Sequence, residues 1–513
     1  MNRKPVRALF SCLALFGLMN VLCPAGNAGP AGTNDRQGSL SRVNHIIIVM
    51  QENHSFDNYF GVLPFAAGVT YHNGPCEPSD HLCVDGLSCK RNPKTGDYKC
   101  HDSNRDDDRH KVHAFHATDF CVLTDLNHEW VGSHSESNFL DPNAALAFSP
   151  NDGFVLVNDA TNQPDNGNES RIEDEAMSFY NEDDLAFYYK LAETFAIDDQ
   201  YFSSVLGPTF PNRSYLMAAT SFGHLISAEA LVNPANPLSA FYTPITGTIF
   251  DLLDQDSVTW ADYYSDAPQA ASFRNPQTDP HLQPISSFFS AAQAGTLPSV
   301  TFVDAATSLS GAGENDEHPG SDLRAGQHFV AQVVNAVRSG PNWTDSIVFI
   351  SYDDPGGFYD HVAPPAAPQS GAPNPDGVSP GQCADASNPP MSERAGGGQN
   401  CTASAAIEAS FCPGFSSTGV FPDRCAKFNQ LGFRVPLIVV SPFSKQQYVS
   451  HTVGDHTSLL ALIEKRFLKD QHLTARDANA DTLENMFDFS NAPSLNAQVS
   501  PSLAPAPATL CAP

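Results

Sequence analysis

The run Val43 to Met50 (VNHIIIVM) passes without a break into the polar segment Gln51-Glu52-Asn53-His54-Ser55-Phe56-Asp57. β-Branched side chains are stiff at χ1 and favour extended backbone. A run that is apolar on both faces suits a strand covered on both sides, which is the habit of mainly parallel sheets. Similar runs occur at Thr194 to Ile197, Ser257 to Trp260, Ser299 to Val303, Ile347 to Tyr352 and Val435 to Val440. They alternate with helical patterns, among them Leu459 to Phe467, where Asp455 or Thr457 is placed to cap. Strands alternating with helices predict an α/β sandwich around a mainly parallel sheet.

The 513 residues and their 41% hydrophobic content suffice for a packed core. Arg3, Lys4 and Arg7, the apolar stretch Leu9 to Leu22 and the small residues Gly26-Asn27-Ala28 read as a signal peptide over 1–28, which predicts a secreted or periplasmic protein. The catalytic domain is expected over 40–485, with loop insertions at about 71–115 and 364–425, and an Ala/Pro/Ser-rich, mobile tail over 486–513. A formal net charge of −30 disfavours nucleic acid and anionic membranes. No later stretch is apolar enough for stable membrane insertion. The ten cysteines beyond the signal segment form two groups of five, so pairing all of them requires a bridge between the groups. A zinc knuckle within 76–100 is the rival reading.

In open α/β sheets ligands sit outside the carboxyl ends of the strands, so the residues just after each run carry the most interest. Glu52 and Asn53 offer two oxygen ligands for a hard cation. A turn capped by Ser55 explains the same residues. Asp353 and Asp354 follow the Ile347 run and precede Pro355-Gly356-Gly357. Two adjacent ionised acids call for a nearby cation, although an Asp-Pro-Gly turn is also common. Thr209, in Gly207-Pro208-Thr209-Phe210-Pro211-Asn212-Arg213, precedes a helical pattern at Tyr215 to Thr220. Helix N-termini favour phosphate, and a hydroxyl beside a metal can attack phosphorus; a plain helix cap is the alternative. His318 and His128, in polar loops, are candidates for binding a phosphoryl oxygen or protonating a leaving group. His361 is a candidate to orient Asp353 or Asp354, and His456 to cap its helix. The stretch His101 to His116, rich in His and Asp, reads either as a second metal site or as a solvated loop.

Taken together, HIIIVMQENHSFDNYFG at 45–61, GPTFPNR at 207–213, NDEHPG at 315–320, SYDDPGGFYDHVAPP at 351–365, RVPLIVVSP at 434–442 and DHTSLLALIEKRF at 455–467 resemble one family. It is the bacterial phosphoesterases that include non-haemolytic-type phospholipases C and respiratory-burst-inhibiting acid phosphatases. The resemblance implies an alkaline-phosphatase-like α/β fold, three layers deep. It implies one divalent metal ion held by Glu52, Asn53, Asp353 and Asp354, and touched by the nucleophile Thr209. His318 and His128 match phosphate-binding histidines. A further family histidine near 257–263 has no match; Trp260, Asp262 and Tyr263 stand there. The second acid of the pair is Asp354 where the family has Glu, and the insertion at 71–115 has no counterpart.

The implied reaction is hydrolysis of a phosphate ester through a phosphothreonine. The substrate is either a phospholipid cleaved as by a phospholipase C or a phosphomonoester cleaved as by an acid phosphatase. A non-catalytic binding protein and a two-metal hydrolase are the other classes; the latter needs more His and Asp ligands than these segments supply.

Overall fold

Ile46, Ile47, Ile48 and Val49 are all buried, and so is every residue from Ser346 to Tyr352. Strands of this kind exclude water from both faces, so the sheet they form has to lie between two layers. The computed structural model describes residues 39–507, apart from 122–124, 145–148, 162–171, 228–243, 308–312, 370–373, 384–401 and residue 498. The expected signal segment lies outside these residues.

Eight strands form the central sheet. They are β1 (His45–Gln51), β2 (Ala196–Asp198), β3 (Trp260–Tyr264), β4 (Leu282–Pro284), β5 (Val300–Asp304), β6 (Ser346–Tyr352), β7 (Leu437–Val440) and β8 (Tyr448–Ser450). Their order is β4-β3-β5-β1-β6-β7-β2-β8, and β7 alone runs antiparallel to its neighbours. The helices that matter below are α1 (Phe56–Phe60), α2 (Trp130–Ser137), α3 (Ala186–Thr194), α4 (Thr209–Ala218), α5 (Ile249–Gln255), α6 (Ile285–Ala294), α7 (Leu323–Ser339) and α8 (His456–Phe467). Phe250 of α5 meets Trp260 and Phe302, while Phe288 of α6 meets Tyr263. Residues an odd number apart point to opposite faces of a strand. The α5 and α6 helices therefore cover opposite sides, and α4 and α8 pack with α5's side as α3 and α7 do with α6's. This is the three-layer α/β architecture expected from the sequence.

The expected strands are present with small shifts. The largest is β3, which begins at Trp260, where pairing with Val300 starts, so the apolar Val258 precedes it. The short edge strands β4 and β8 were not anticipated. Asp455 caps α8 in a capping box with Ser458, and Thr457 lies inside the helix.

The insertion at 71–115 is built from short strand pairs, with Cys89–Arg91 against Tyr98–Cys100 and Ser103–Arg105 against Lys111–His113. Cys76–Cys83 and Cys89–Cys100 are disulfides, which rules out a zinc knuckle made from those cysteines. Cys412–Cys425 is another, and Cys121 and Cys383 are also disulfide-bonded. The described part of the tail, up to residue 507 and expected to be mobile, packs back on the sandwich. Arg338 donates to the Val499 carbonyl at 2.8 Å, His328 lies 2.8 Å from that of Ala504, and Val499 and Ala504 are buried.

The turn after β6 depends on glycine. Gly356 has φ +62°, and a Cβ there would lie 2.4 Å from the Asn53 carbonyl oxygen and 2.5 Å from its Cβ. Gly377 has φ +71° with nothing within 4 Å. Gly377→Ala should therefore carry only a backbone cost of about 1 kcal/mol. Gly356→Ala should lose more, roughly 2 kcal/mol or above, because Asn53 has to move as well. Urea denaturation of both variants checks this, and equal losses would contradict the packing argument.

Candidate active site

Register brings the site together. β1 and β6 run parallel with Gln51 opposite Tyr352, and adjacent strands lie about 4.8 Å apart. The next residue on each strand is an acid, so Glu52 and Asp353 emerge side by side. Both are buried, and two such carboxylates repel.

Arg213 answers that repulsion. It lies one turn beyond Thr209 on α4, where residues four apart share a helix face. Its Nη2 donates to Glu52 Oε1 at 2.8 Å and its Nε to Asp353 Oδ2 at 2.9 Å. All three side chains are at most 9% exposed. The same anchor delivers Thr209. This residue is the first of α4, behind Pro208, and its side chain caps nothing. Its hydroxyl instead donates to Glu52 Oε2 at 3.4 Å, so the helix-cap alternative does not hold.

Arg213 occupies one oxygen of each acid. Asp353 Oδ1 accepts the backbone N–H groups of Asn53 and Asp354 at 3.2 and 2.8 Å. Asn53 sits in the left-handed region at φ 63°, and both polar atoms of its buried amide lack a partner. Asp354 accepts from Gly356 N–H at 2.7 Å through Oδ1, while its buried Oδ2 has no partner. Burial, and then Asp353, push the Asp354 carboxyl well above the usual carboxylate range. Burial and Asp353 also raise Glu52, against the pull of Arg213, His318 and His128.

Buried polar atoms without partners are costly. Asn53 Oδ1, Asp354 Oδ2, Glu52 Oε2 and the Thr209 hydroxyl make an all-oxygen set that fits a hard divalent cation. The oxygens of Glu52, Asp353 and Asp354 do not all lie within 4.8 Å of one another. A shared ion would therefore draw them inward.

His128 and His318 face each other with ring centroids 6.5 Å apart. Asp125 Oδ1 lies between them, 3.6 Å from His128 Nδ1 and 3.9 Å from His318 Nε2. Burial opposes a proton on either ring. For His128 the charge of Asp125, the hydrogen bond to the Leu126 carbonyl and the charges of Glu129 and Asp353 together outweigh burial, and for His318 the charges of Glu52, Asp125 and Asp316 with the hydrogen bond to the Pro319 carbonyl do, so both pKa values are raised. The loop bearing His318 is fixed by its neighbour Glu317, whose buried carboxylate accepts hydroxyls from Tyr59, Tyr188 and Tyr352, each at 2.5 Å.

Two expectations need correction. His361 does not orient Asp353 or Asp354. Its Nδ1 lies 2.7 Å from Asp57 Oδ2 and its Nε2 3.2 Å from Asp85 Oδ1, beside the buried Arg434. The tight turn at Gly356-Gly357 carries the chain away before residue 361. His456 does not cap its helix; its Nε2 lies 2.8 Å from the Asp353 carbonyl and its Nδ1 3.0 Å from the Tyr201 hydroxyl. A carbonyl can only accept, so Nε2 carries the proton and Nδ1 accepts from Tyr201. The stretch His101 to His116 contributes to no group of three close ligand atoms among the described residues.

Sequence reading assigned no role to Arg213, Asp125 or Glu136. Arg213 stands four residues beyond Thr209, but nothing in the sequence alone ties it to Glu52 and Asp353. Glu136 of α2 is fully buried with both oxygens unpartnered; burial raises its pKa well above the usual range, with His128 and Asp354 the charges acting on it.

The Phosphoesterase family profile matches residues 43–468. The chain belongs to this family. It is accordingly a hydrolase acting on phosphate esters. Similar proteins include Non-specific phospholipase C6 of Arabidopsis thaliana, 29% identical over 93% of this chain and 79% of its own length. Phospholipase C B of Mycobacterium tuberculosis is 28% identical over 91% and 81%. Non-hemolytic phospholipase C of Burkholderia pseudomallei is 26% identical over 89% and 61%. Among solved structures, murine ectonucleotide pyrophosphatase/phosphodiesterase 5 aligns with 59% of this chain and 95% of its own at 9% identity and a TM-score of 0.32. That likeness is too distant to add to the argument.

Removing the guanidinium would leave two buried acids opposed. In the presence of chelator, Arg213→Gln should lose about 3–5 kcal/mol of unfolding free energy, as expected when one partner of a buried ion pair is removed. Urea denaturation measures it. A loss below about 1 kcal/mol, the size of an exposed pair, would show that Arg213 does not hold these acids together.

Proposed function

We propose that this phosphoesterase is a secreted or periplasmic, metal-dependent enzyme of phospholipase C type that uses Thr209 as its nucleophile. The observation that carries the reading is the Thr209 hydroxyl, buried at the first residue of α4 and directed at the Glu52 carboxylate. The names of the three relatives support the lipid class of substrate.

Glu52, Asn53, Asp353, Asp354 and Thr209 would hold one divalent cation, which when bound supplies Lewis acidity at the hydroxyl and neutralises charge at phosphorus. Glu52 is poised to take the Thr209 proton, since burial has already made its carboxyl more basic. The Thr209 oxygen attacks phosphorus in line, with the positive end of α4 favouring the phosphoryl group. The bond to the leaving oxygen breaks. His128 or His318 donates a proton to that oxygen and afterwards takes one from the water that attacks the phosphothreonine. The bond between phosphorus and the Thr209 oxygen breaks, and Glu52 returns its proton to that oxygen, which regenerates the hydroxyl. The imidazolium that does not donate stabilises the equatorial oxygens.

Thr209→Ala should fold normally and lose activity by roughly three orders of magnitude or more, as enzymes do on losing a nucleophile. The assay compares release of phosphocholine from phosphatidylcholine with hydrolysis of an aryl phosphate, with and without chelator. Wild-type enzyme should favour phosphatidylcholine and fail in chelator. Near-normal turnover in the variant would refute the nucleophile. Hydrolysis of the aryl phosphate alone would make the enzyme a monoesterase of acid phosphatase type.

A further inference from the structure

Two turns along α8 from His456, about 12 Å away along the axis, a second group of ligand-type side chains gathers. Glu464 is fully buried on the helix. Its Oε2 lies 2.8 Å from His472 Nδ1, and its Oε1 has no partner. Asp477, also buried, faces the same point. One ligand atom from each of Glu464, His472 and Asp477 lies within 4.8 Å of the other two.

Asp477 is held rigidly. Its Oδ2 accepts from Leu473 N–H at 2.7 Å, and its Oδ1 from Thr474 N–H and the Thr474 hydroxyl at 2.8 and 3.1 Å. A carboxylate offers about four lone-pair positions, so one remains, on Oδ2. The Glu464 carboxyl is pushed up to about 11, by burial and then by the charge of Asp477. Two acids in this relation either share a proton or share a cation. A hydrogen bond between the two acids also acts to raise Glu464, but the histidine beside them favours the cation. A proton shared by two carboxyl groups needs no third ligand, whereas His472 adds a nitrogen to the two oxygens, and its 31% side-chain exposure opens a path from solvent.

We propose that Glu464, His472 and Asp477 form a second metal site, separate from the catalytic one, that takes a borderline divalent cation such as zinc. Mixed nitrogen and carboxylate ligation is the pattern such ions select. The ion would staple the end of α8 to the 473–477 turn, and so brace from behind the helix whose first residue touches the Asp353 carbonyl.

The test is equilibrium dialysis of the full chain against zinc, followed by metal analysis, for wild type, Glu464→Gln and His472→Ala. Each variant should hold one zinc fewer per chain than wild type while still hydrolysing phosphate ester. The difference is read whether or not the catalytic site also takes zinc, so the result stands apart from the proposed mechanism. Equal zinc in all three proteins would overturn the proposal and leave a proton-sharing acid pair. Should Glu464→Gln fail to fold, His472→Ala, at a partly exposed position, decides the question alone.

Discussion

A single guanidinium lies between two carboxylates that the sheet forces together. Parallel register sets Glu52 beside Asp353, and neither acid can escape to water. Coulomb repulsion between buried like charges is strong because the surroundings screen it poorly. Arg213 converts that repulsion into two ion pairs, and it sits on the helix that starts with Thr209. The interaction that makes the acid pair tolerable therefore also sets the distance between hydroxyl and carboxylate.

The guanidinium does not saturate the site. It leaves unpartnered oxygens on Asn53 and Asp354, with Glu136 unpartnered nearby. Such groups fit a place where a ligand is met. Asp125 lies close to both His128 and His318 and helps to raise their affinity for a proton. The result is a polar site, lined by acids, a helix N-terminus and two imidazoles whose affinity for a proton is raised. A phosphoryl group, negatively charged and due to become more so in the transition state, matches that polarity.

The core strands were legible in the sequence because Ile, Val and Phe run without polar breaks there. The edge strands β4 and β8 were not, since three residues with mixed character carry no period. Glu52, Asn53, Asp353, Asp354 and Thr209 were legible as residues just beyond strands or before a helix. Arg213 was not, because its role exists only once β1 and β6 are paired. His361 was misread for the same reason in reverse. It is close to Asp354 in sequence, yet the turn through Gly356 and Gly357 delivers it to Asp57 and Asp85. Nearness along the chain is a poor guide wherever glycines reverse it.

One cation should bind where the ends of β1 and β6 meet the first residue of α4. Anomalous diffraction from crystals grown with Mn²⁺ tests it directly. The expected result is a peak bonded to oxygens of Glu52, Asn53, Asp353 and Asp354 and to the Thr209 hydroxyl. A fully occupied ion elsewhere with no peak here, or a Thr209 side chain rotated away from it, would rule this site out.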